Sequence, residues 1–234
     1  MLNNFRRFEF KFLLTNDQFN SIKHDLLPYV NHDKHNKNNE PYNVRSIYYD
    51  NPQYESANEK IDGLLFRYKY RLRTYASKND KNALFFFERK GRFNNYVFKE
   101  RTDIKPNDIK YLNHSFRLKN SDLLDRFYKD LIIKNLKPII IIDYKRLAFF
   151  SKFSDEFRLT FDSDLTALES DEIFPKNFRT VSLFPDKIVM ELKFSHKIPI
   201  WFHKLIEKNN LTRVSISKVC SGLQRLGYVY DEGQ

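Results

Sequence analysis

The residues able to do chemistry concentrate in Phe66–Arg92, FRYKYRLRTYASKNDKNALFFFERKGR. In a strand, side chains two apart share a face. Phe66–Arg73 then puts Arg67, Lys69, Arg71 and Arg73 on one side and Phe66, Tyr68, Tyr70 and Leu72 on the other. After a polar turn at Ser77–Asn82, a second strand sets Glu88, Lys90 and Arg92 against Phe85 and Phe87. Like charges at this spacing sit about 7 Å apart and repel by about 2 kcal/mol per pair at an effective dielectric of about 20. A folded protein keeps such a row only where water, carboxylates or a bound anion offsets it. Holding a polyanion is the chemistry it suits, because Arg grips phosphate oxygens with a planar fork and Lys as a point charge.

The elements that must position this pair follow from periodicity. Phe5–Leu13 alternates, with Arg7, Glu9 and Lys11 opposite Phe8, Phe10 and Phe12. Thr15 and Gln18 stand in capping-box relation at the head of a helix carrying Phe19, Ile22 and Leu26, which ends by Pro28. Asn31–Asn39 reads as a polar loop whose His32 and His35 lack a carboxylate or Cys partner and read as solvated. Tyr42–Asp50 is a strand, and Pro52–Lys60 a short helical excursion. Tyr96–Arg101 closes a three-stranded meander. Pro106–Asn113 suggests one or two helical turns. Ser121 or Asp122 caps a helix with Leu124, Phe127, Tyr128, Leu131 and Ile132 on its buried stripe.

Pro138–Phe150 is the most apolar strand. Glu156–Asp162 sets Arg158, Thr160 and Asp162 against Phe157, Leu159 and Phe161, and Asp162–Phe184 reads as loop. Ile188–Phe194 is the last strand, with Glu191 and Lys193 on its polar face. Helices follow from Pro199, carrying Trp201, Phe202, Leu205 and Ile206, and over Ser215–Leu226, with Gly227 as a C′ residue. Cys220, Trp201, His196 and His203 read as structural.

Composition narrows the class. The 234 residues predict one domain, 1–234, and 41% hydrophobic with 16% aromatic content excludes a disordered chain. Lys plus Arg number 41 against 30 Asp plus Glu, a formal net charge of +11, which points to an anionic partner. The single Cys excludes an internal disulfide and a zinc site of Cys-Cys spacing, and fits a reducing compartment. Charges recur through the start as far as Lys11, so it carries no apolar run of signal-peptide length, and the longest aliphatic run, Ile139–Ile142, is far short of a span. A soluble, cytoplasmic protein is expected, and any work at the inner face of a membrane would be peripheral, beside a membrane-protein partner.

Most strands split into an apolar face and an Arg, Lys and Glu face, with few of the Ser, Thr or Gln residues that a solvated face also holds. Two architectures satisfy the split. One is a sheet with its apolar face on the helices and its charged face in water. The other is a barrel with a charged interior and helices outside. Nucleic-acid binding would interleave aromatics with the cations for base stacking. Here the aromatics take the opposite face, so no nucleic-acid partner is expected.

Seven motifs in order carry a family resemblance: RFEFK near the start, RLR at Arg71–Arg73, ERK at Glu88–Lys90, YKRLAF at Tyr144–Phe149, FRLTFDSDL at Phe157–Leu165, MELKF at Met190–Phe194 and SISK at Ser215–Lys218. Over nearly its whole length the chain resembles the triphosphate tunnel metalloenzymes, and within them the VTC domain of polyphosphate polymerases. The resemblance implies an α+β fold, an eight-stranded antiparallel β-barrel tunnel with a charged lumen and helices outside. It implies phosphate binding by Lys11, Arg71, Arg73, Lys90, Arg146, Arg158, Lys193 and Lys218. It also implies Mn²⁺ or Mg²⁺ on Glu191, with Glu9 and Glu88 as further candidates. Arg7 replaces the first Glu of the superfamily's Glu-x-Glu-x-Lys strand, and Arg92 stands where the eukaryotic polymerases carry His. The inositol-phosphate-sensing and membrane segments of those polymerases are missing, so a bare catalytic-type domain is expected.

The implied activity is transfer of the ATP γ-phosphate to phosphate or a growing polyphosphate end, without a protein nucleophile. A triphosphatase using the same tunnel and a non-catalytic polyphosphate or polyanion binder are the alternatives.

Overall fold

The computed structural model describes residues 8–33, 36, 39–78, 80, 82–94, 96–113, 118 and 121–230. Arg7 and His35 lie outside the described residues. The chain divides into two compact units.

The first unit comprises Met1–Tyr42, Tyr144–Leu165 and Phe184–Ile216. It contains β1 (Phe8–Leu14), α1 (Asn16–Leu26) and β2 (Val30–His32). Into it also fall the Tyr144–Ser151 part of β7 (Lys137–Ser151), the Arg158–Leu165 part of β8 (Arg158–Glu169), β10 (Ile188–Phe194) and α4 (Ile200–Lys208). β10 pairs antiparallel with β1 on one side and β8 on the other, and β2 pairs antiparallel with β7. Alternation then sorts the faces. Phe12, Leu14, Leu159, Phe161, Met190 and Leu192 pack with Ile22 and Leu26 of α1 and with Phe202 and Leu205 of α4. Burying each such side chain is worth roughly 1.5–3 kcal/mol. The capping box expected at Thr15 is formed in both directions, Gln18 N to Thr15 Oγ1 at 3.2 Å and Thr15 N to Gln18 Oε1 at 3.0 Å.

The second unit comprises Asn43–Asp143, Thr166–Leu183 and Ser217–Gln234. It contains β3 (Tyr42–Asp50, bar its first residue), α2 (Glu55–Ile61), β4 (Phe66–Thr74), β5 (Phe85–Phe93) and β6 (Tyr96–Ile104). After a 3-10 helix at Pro106–Asn113 come α3 (Asp122–Ile133), β9 (Val181–Ser182) and α5 (Lys218–Arg225). β3, β4, β5 and β6 form an antiparallel meander in register Tyr48↔Arg71↔Glu88↔Arg101. Tyr49, Tyr70, Leu72, Phe85 and Phe87 bury against Leu123, Leu124, Phe127 and Tyr128 of α3. Tyr68 and Tyr70 both donate to Asp130 Oδ2, at 2.9 and 2.8 Å, which fixes α3 on β4. Gly91 is required by close approach. A Cβ there would lie 2.0 Å from Cζ of Phe98, whose ring crosses the glycine from β6.

The fold is therefore antiparallel α+β, as expected. The strand order runs β1-β10-β8-β7-β3-β4-β5-β6, and the pairings among the described residues do not close it into a barrel. Three expectations are corrected. Asp162–Phe184 is not all loop, because β8 continues to Glu169 and pairs β9. The stretch from Asn31 begins as the end of β2, held by pairing to β7. The last helix starts at Lys218 rather than Ser215, with Ser217 as its N-cap.

Candidate functional site

In the first unit, β1, β10, β8 and β7 carry the charged residues. Lys11 lies opposite Glu191 and Glu9 opposite Lys193, while Glu191 and Lys193 face Thr160 and Arg158 on β8. Opposite charges therefore meet between β1 and β10, while Lys193 meets the like-charged Arg158 on β8. Arg146 of β7 makes a bidentate pair with Asp162, Nε to Oδ1 at 2.6 Å and Nη2 to Oδ2 at 2.7 Å, and its Nη2 reaches Glu191 Oε2 at 3.4 Å. All three are buried. Burial works against the Arg146 charge, but Asp162, Tyr144 and Glu191 outweigh it and raise its pKa well above the ordinary value.

Lys11 Nζ donates to Ile216 O at 2.7 Å and lies 3.5 Å from Glu9, and Lys193 Nζ lies 3.6 Å from Glu191. Arg158 Nη2 pairs with Asp33 Oδ2 at 2.8 Å, and among the described residues its buried Nε and the buried Thr160 Oγ1 have no hydrogen-bond partner. Cations and carboxylates are close to balanced on this face.

In the second unit they are not. On the polar face of β4, β5 and β6 stand Arg67, Lys69, Arg71, Arg73, Lys90, Arg92, Lys99 and Arg101. Against them, among the described residues of those strands' polar face, are Glu88 and Asp103. One rung reads Lys69–Lys90–Lys99 across three strands, and like charges directly opposite one another destabilise a sheet.

Arg71 and Arg73 are 9% and 6% exposed. Glu88 accepts from Arg71 Nε at 2.7 Å and Nη2 at 2.6 Å, and its other oxygen pairs with Lys99. Tyr48 Oη accepts from Arg71 Nη1 at 3.1 Å, and Ser46 Oγ from Arg73 Nε at 3.0 Å.

The electrostatics follow from this crowding. For the Glu88 carboxyl burial is the largest influence and would raise its pKa, yet Arg71, Arg73 and Lys99 hold it well below the carboxylate range. Burial likewise would raise the Tyr48 phenol, and the fields of Arg71, Arg73 and Lys69 overcome it, bringing it down to about 7. Burial pushes the Lys99 amine down, and Arg71 and Arg73 add to that against the pull of Glu88. α5 begins beside Lys69, whose Nζ donates to the cap oxygen Ser217 Oγ at 3.2 Å, and so sets buried Lys218 at the same helix start. Gly222 lets α5 approach β7, since a Cβ there would lie 2.9 Å from the ends of Ile140 and Ile142.

The expected residues thus fall into two sets. Lys11, Arg146, Arg158, Lys193, Glu191 and Glu9 belong to the first unit, and Arg71, Arg73, Lys90, Lys218 and Glu88 to the second. Sequence reasoning missed Lys99, Tyr48, Ser46 and Asp33. Lys99 and Arg101 share a face by the same alternation that singled out Lys90, so the signal was present. The uncharged Tyr48 and Ser46 and the loop residue Asp33 offered none.

A hard divalent cation fits one mode here. No cluster of three His, Cys, Asp or Glu side chains stands among the described residues. That excludes an all-protein cage built from them. Mg²⁺ and similar ions also bind through one or two carboxylates, with water and substrate phosphates completing the shell. Glu191 and Glu9 are diagonal neighbours on β10 and β1, with Arg146 and Lys193 beside one Glu191 oxygen and Lys11 beside one Glu9 oxygen. Both Glu88 oxygens are engaged by cations.

The family model of the VTC domain matches residues 6–227, and the chain belongs to the VTC domain family. No curated protein matches by sequence. Among solved structures, a candidate adenylate cyclase from Bacillus halodurans is similar over 91% of this chain and 95% of its own, at 14% identity and TM-score 0.52. A Pyrococcus horikoshii protein is similar over 88% and 92%, at 10% identity and TM-score 0.47. A mimivirus capping enzyme triphosphatase is similar over 87% of each chain, at 13% identity and TM-score 0.33. Of these three the first bears on the fold, and at its identity on nothing else.

Proposed function

We propose that this VTC domain is a metal-dependent polyphosphate polymerase, moving the ATP γ-phosphate to phosphate or to a growing polyphosphate end. The observation that carries the reading is the cation excess on β4–β6, where a rung of three lysines and two buried arginines faces few carboxylates. Such a face is costly when empty and is offset by a chain of phosphates, each bringing negative charge at close spacing. Belonging to the VTC family supports the same reading, and the proposal includes a closed eight-stranded tunnel formed as a single domain.

In this account the Arg71 and Arg73 guanidinium groups meet phosphate oxygens, with Glu88, Tyr48 and Ser46 fixing their planes. Lys90 contributes a point charge beside them. Lys218 and the amide groups at the start of α5 hold a further phosphate. Lys11, Arg146, Arg158 and Lys193 take the same role in the first unit, where the buried Arg158 Nε, without a hydrogen-bond partner among the described residues, is a donor that an anion would satisfy.

Glu191, with Glu9, would hold Mn²⁺ or Mg²⁺, which when bound neutralises phosphate charge. Glu88 serves as counter-ion to Arg71 and Lys99. Phosphoryl transfer asks the protein for position and for charge placed where it develops, which these side chains supply. The domain is read as cytoplasmic, and among the described residues no helix is long and apolar enough to cross a membrane.

The test is incubation of purified protein with ATP and Mn²⁺, with products resolved by chain length on a gel. A ladder of phosphate chains is expected. Free phosphate without chains would replace the polymerase with a triphosphatase, and tight polyphosphate binding without turnover would leave a binder.

A further inference from the structure

α3 covers the apolar face of the second unit's meander only in part. Past it, at the end where α2 leads into β4 and β5 turns into β6, the sheet exposes large apolar side chains. Leu64, Leu65, Phe66, Phe93 and Tyr96 are 48%, 67%, 49%, 58% and 44% exposed.

They form one patch. Phe66 lies opposite Phe93, and Phe93 opposite Tyr96. The Phe66 ring is 6.4 Å from Phe93 and 6.2 Å from Phe98. Asn94 N donates to Leu65 O at 2.7 Å, tying the preceding turn to the β5–β6 hairpin. An exposed cluster of this kind on a folded chain marks an interaction surface.

The charge beside it selects the partner. On the next rung Arg67 lies directly opposite Arg92. Both fold back toward the tip, Arg67 Nη1 onto Leu64 O and Arg92 Nε onto Asn94 O at 2.6 Å. Their acceptors are neutral carbonyls, and neither arginine makes a carboxylate ion pair among the described residues. Burial lowers the Arg67 pKa, and the neighbouring Arg92 charge lowers it further. Aromatic and leucine side chains at a tip, with arginines one rung behind them, match the layering of a bilayer surface. There apolar groups enter the acyl boundary and arginines meet lipid phosphates.

We propose that this tip, Leu64–Arg67 with Arg92, Phe93 and Tyr96, docks the domain on an anionic phospholipid surface. Phe66, Phe93 and Tyr96 lie on the apolar face of the meander, whereas Arg67 and Arg92 belong to its cationic face, so the apolar variant is the one that separates docking from phosphate binding.

The experiment is vesicle co-sedimentation of the full chain, with phosphatidylcholine alone and with phosphatidylglycerol added. Binding is expected for the mixed vesicles and to fall with salt. Arg67→Gln with Arg92→Gln should lower partitioning about thirtyfold. Leu65→Ser with Phe93→Ser, both at exposed positions, should lower it about tenfold or more while leaving tripolyphosphate binding and the circular dichroism spectrum unchanged. Equal partitioning by the Leu65→Ser/Phe93→Ser variant would overturn the docking tip. So would wild-type protein that ignores vesicles and instead forms, in sedimentation velocity, a dimer that this variant abolishes.

Discussion

Tyr48 offers the sharpest probe of the second unit's field. Its phenol is buried, accepts from Arg71 and sits in the combined field of Arg71, Arg73 and Lys69, which brings its pKa from 10.0 to about 7. A bound phosphate chain would neutralise that field and return the phenol toward its ordinary value. Linkage fixes the sign. Below about pH 7 the phenol is neutral and binding is at full strength. As pH rises further, the free protein gains a phenolate that competes with the anion, so affinity falls by about tenfold per pH unit at most. At pH 8.5 the limiting loss is about thirtyfold.

The perturbation is Tyr48→Phe, which keeps the ring and removes the ionisation. The assay is calorimetric titration with tripolyphosphate from pH 6 to 9, alongside the near-ultraviolet absorbance of tyrosinate. Comparison with the variant removes the ligand's own titration. Wild-type affinity should fall with pH relative to Tyr48→Phe, and tripolyphosphate should quench the tyrosinate band. Parallel pH profiles, or a band indifferent to ligand, would refute the reasoning. The depressed pKa also makes the empty wild type gain stability over Tyr48→Phe between about pH 7 and 10, since there the unfolded state binds the extra proton.

Other perturbations separate folding from binding. Arg146→Met strands the fully buried Asp162, and should cost about 3–5 kcal/mol in urea unfolding, most of it recovered by adding Asp162→Leu. Gly91→Ala drives a methyl into the Phe98 ring and should cost about 1–3 kcal/mol, relieved when Phe98→Ala is combined with it. Thr15→Ala removes one arm of the α1 capping box and should cost about 1 kcal/mol by thermal melting, with anion affinity unchanged.

Much of the architecture was legible because strict alternation is a local signal. β1, β4, β5 and β10 declare their faces residue by residue, and Thr15 with Gln18 declares a helix start. The missed pieces depend on distant partners or on broken phase. β2 and β9 are three and two residues long and exist through pairing to β7 and β8. The second half of β8 was hidden because the stretch from Asp162 carries little periodic signal. Asp164 adopts a left-handed conformation, φ 53°, yet the strand continues through it.

The candidate site divides the same way. Charged residues on alternating strands were visible, whereas the groups that aim them were not. Tyr48 and Ser46 become relevant because β3 pairs β4 in one register, and Asp33 reaches Arg158 across 125 residues of chain.

The central claim is that the charged face of β4–β6 is an anion-binding surface rather than a solvated one. Titration of tripolyphosphate without metal into wild type and the Arg71→Gln/Arg73→Gln variant tests it most directly, with a thermal melt of each to establish folding. Loss of two charge-assisted contacts predicts affinity lower by about a hundredfold or more in the folded variant. Undiminished binding by that folded variant would contradict the account.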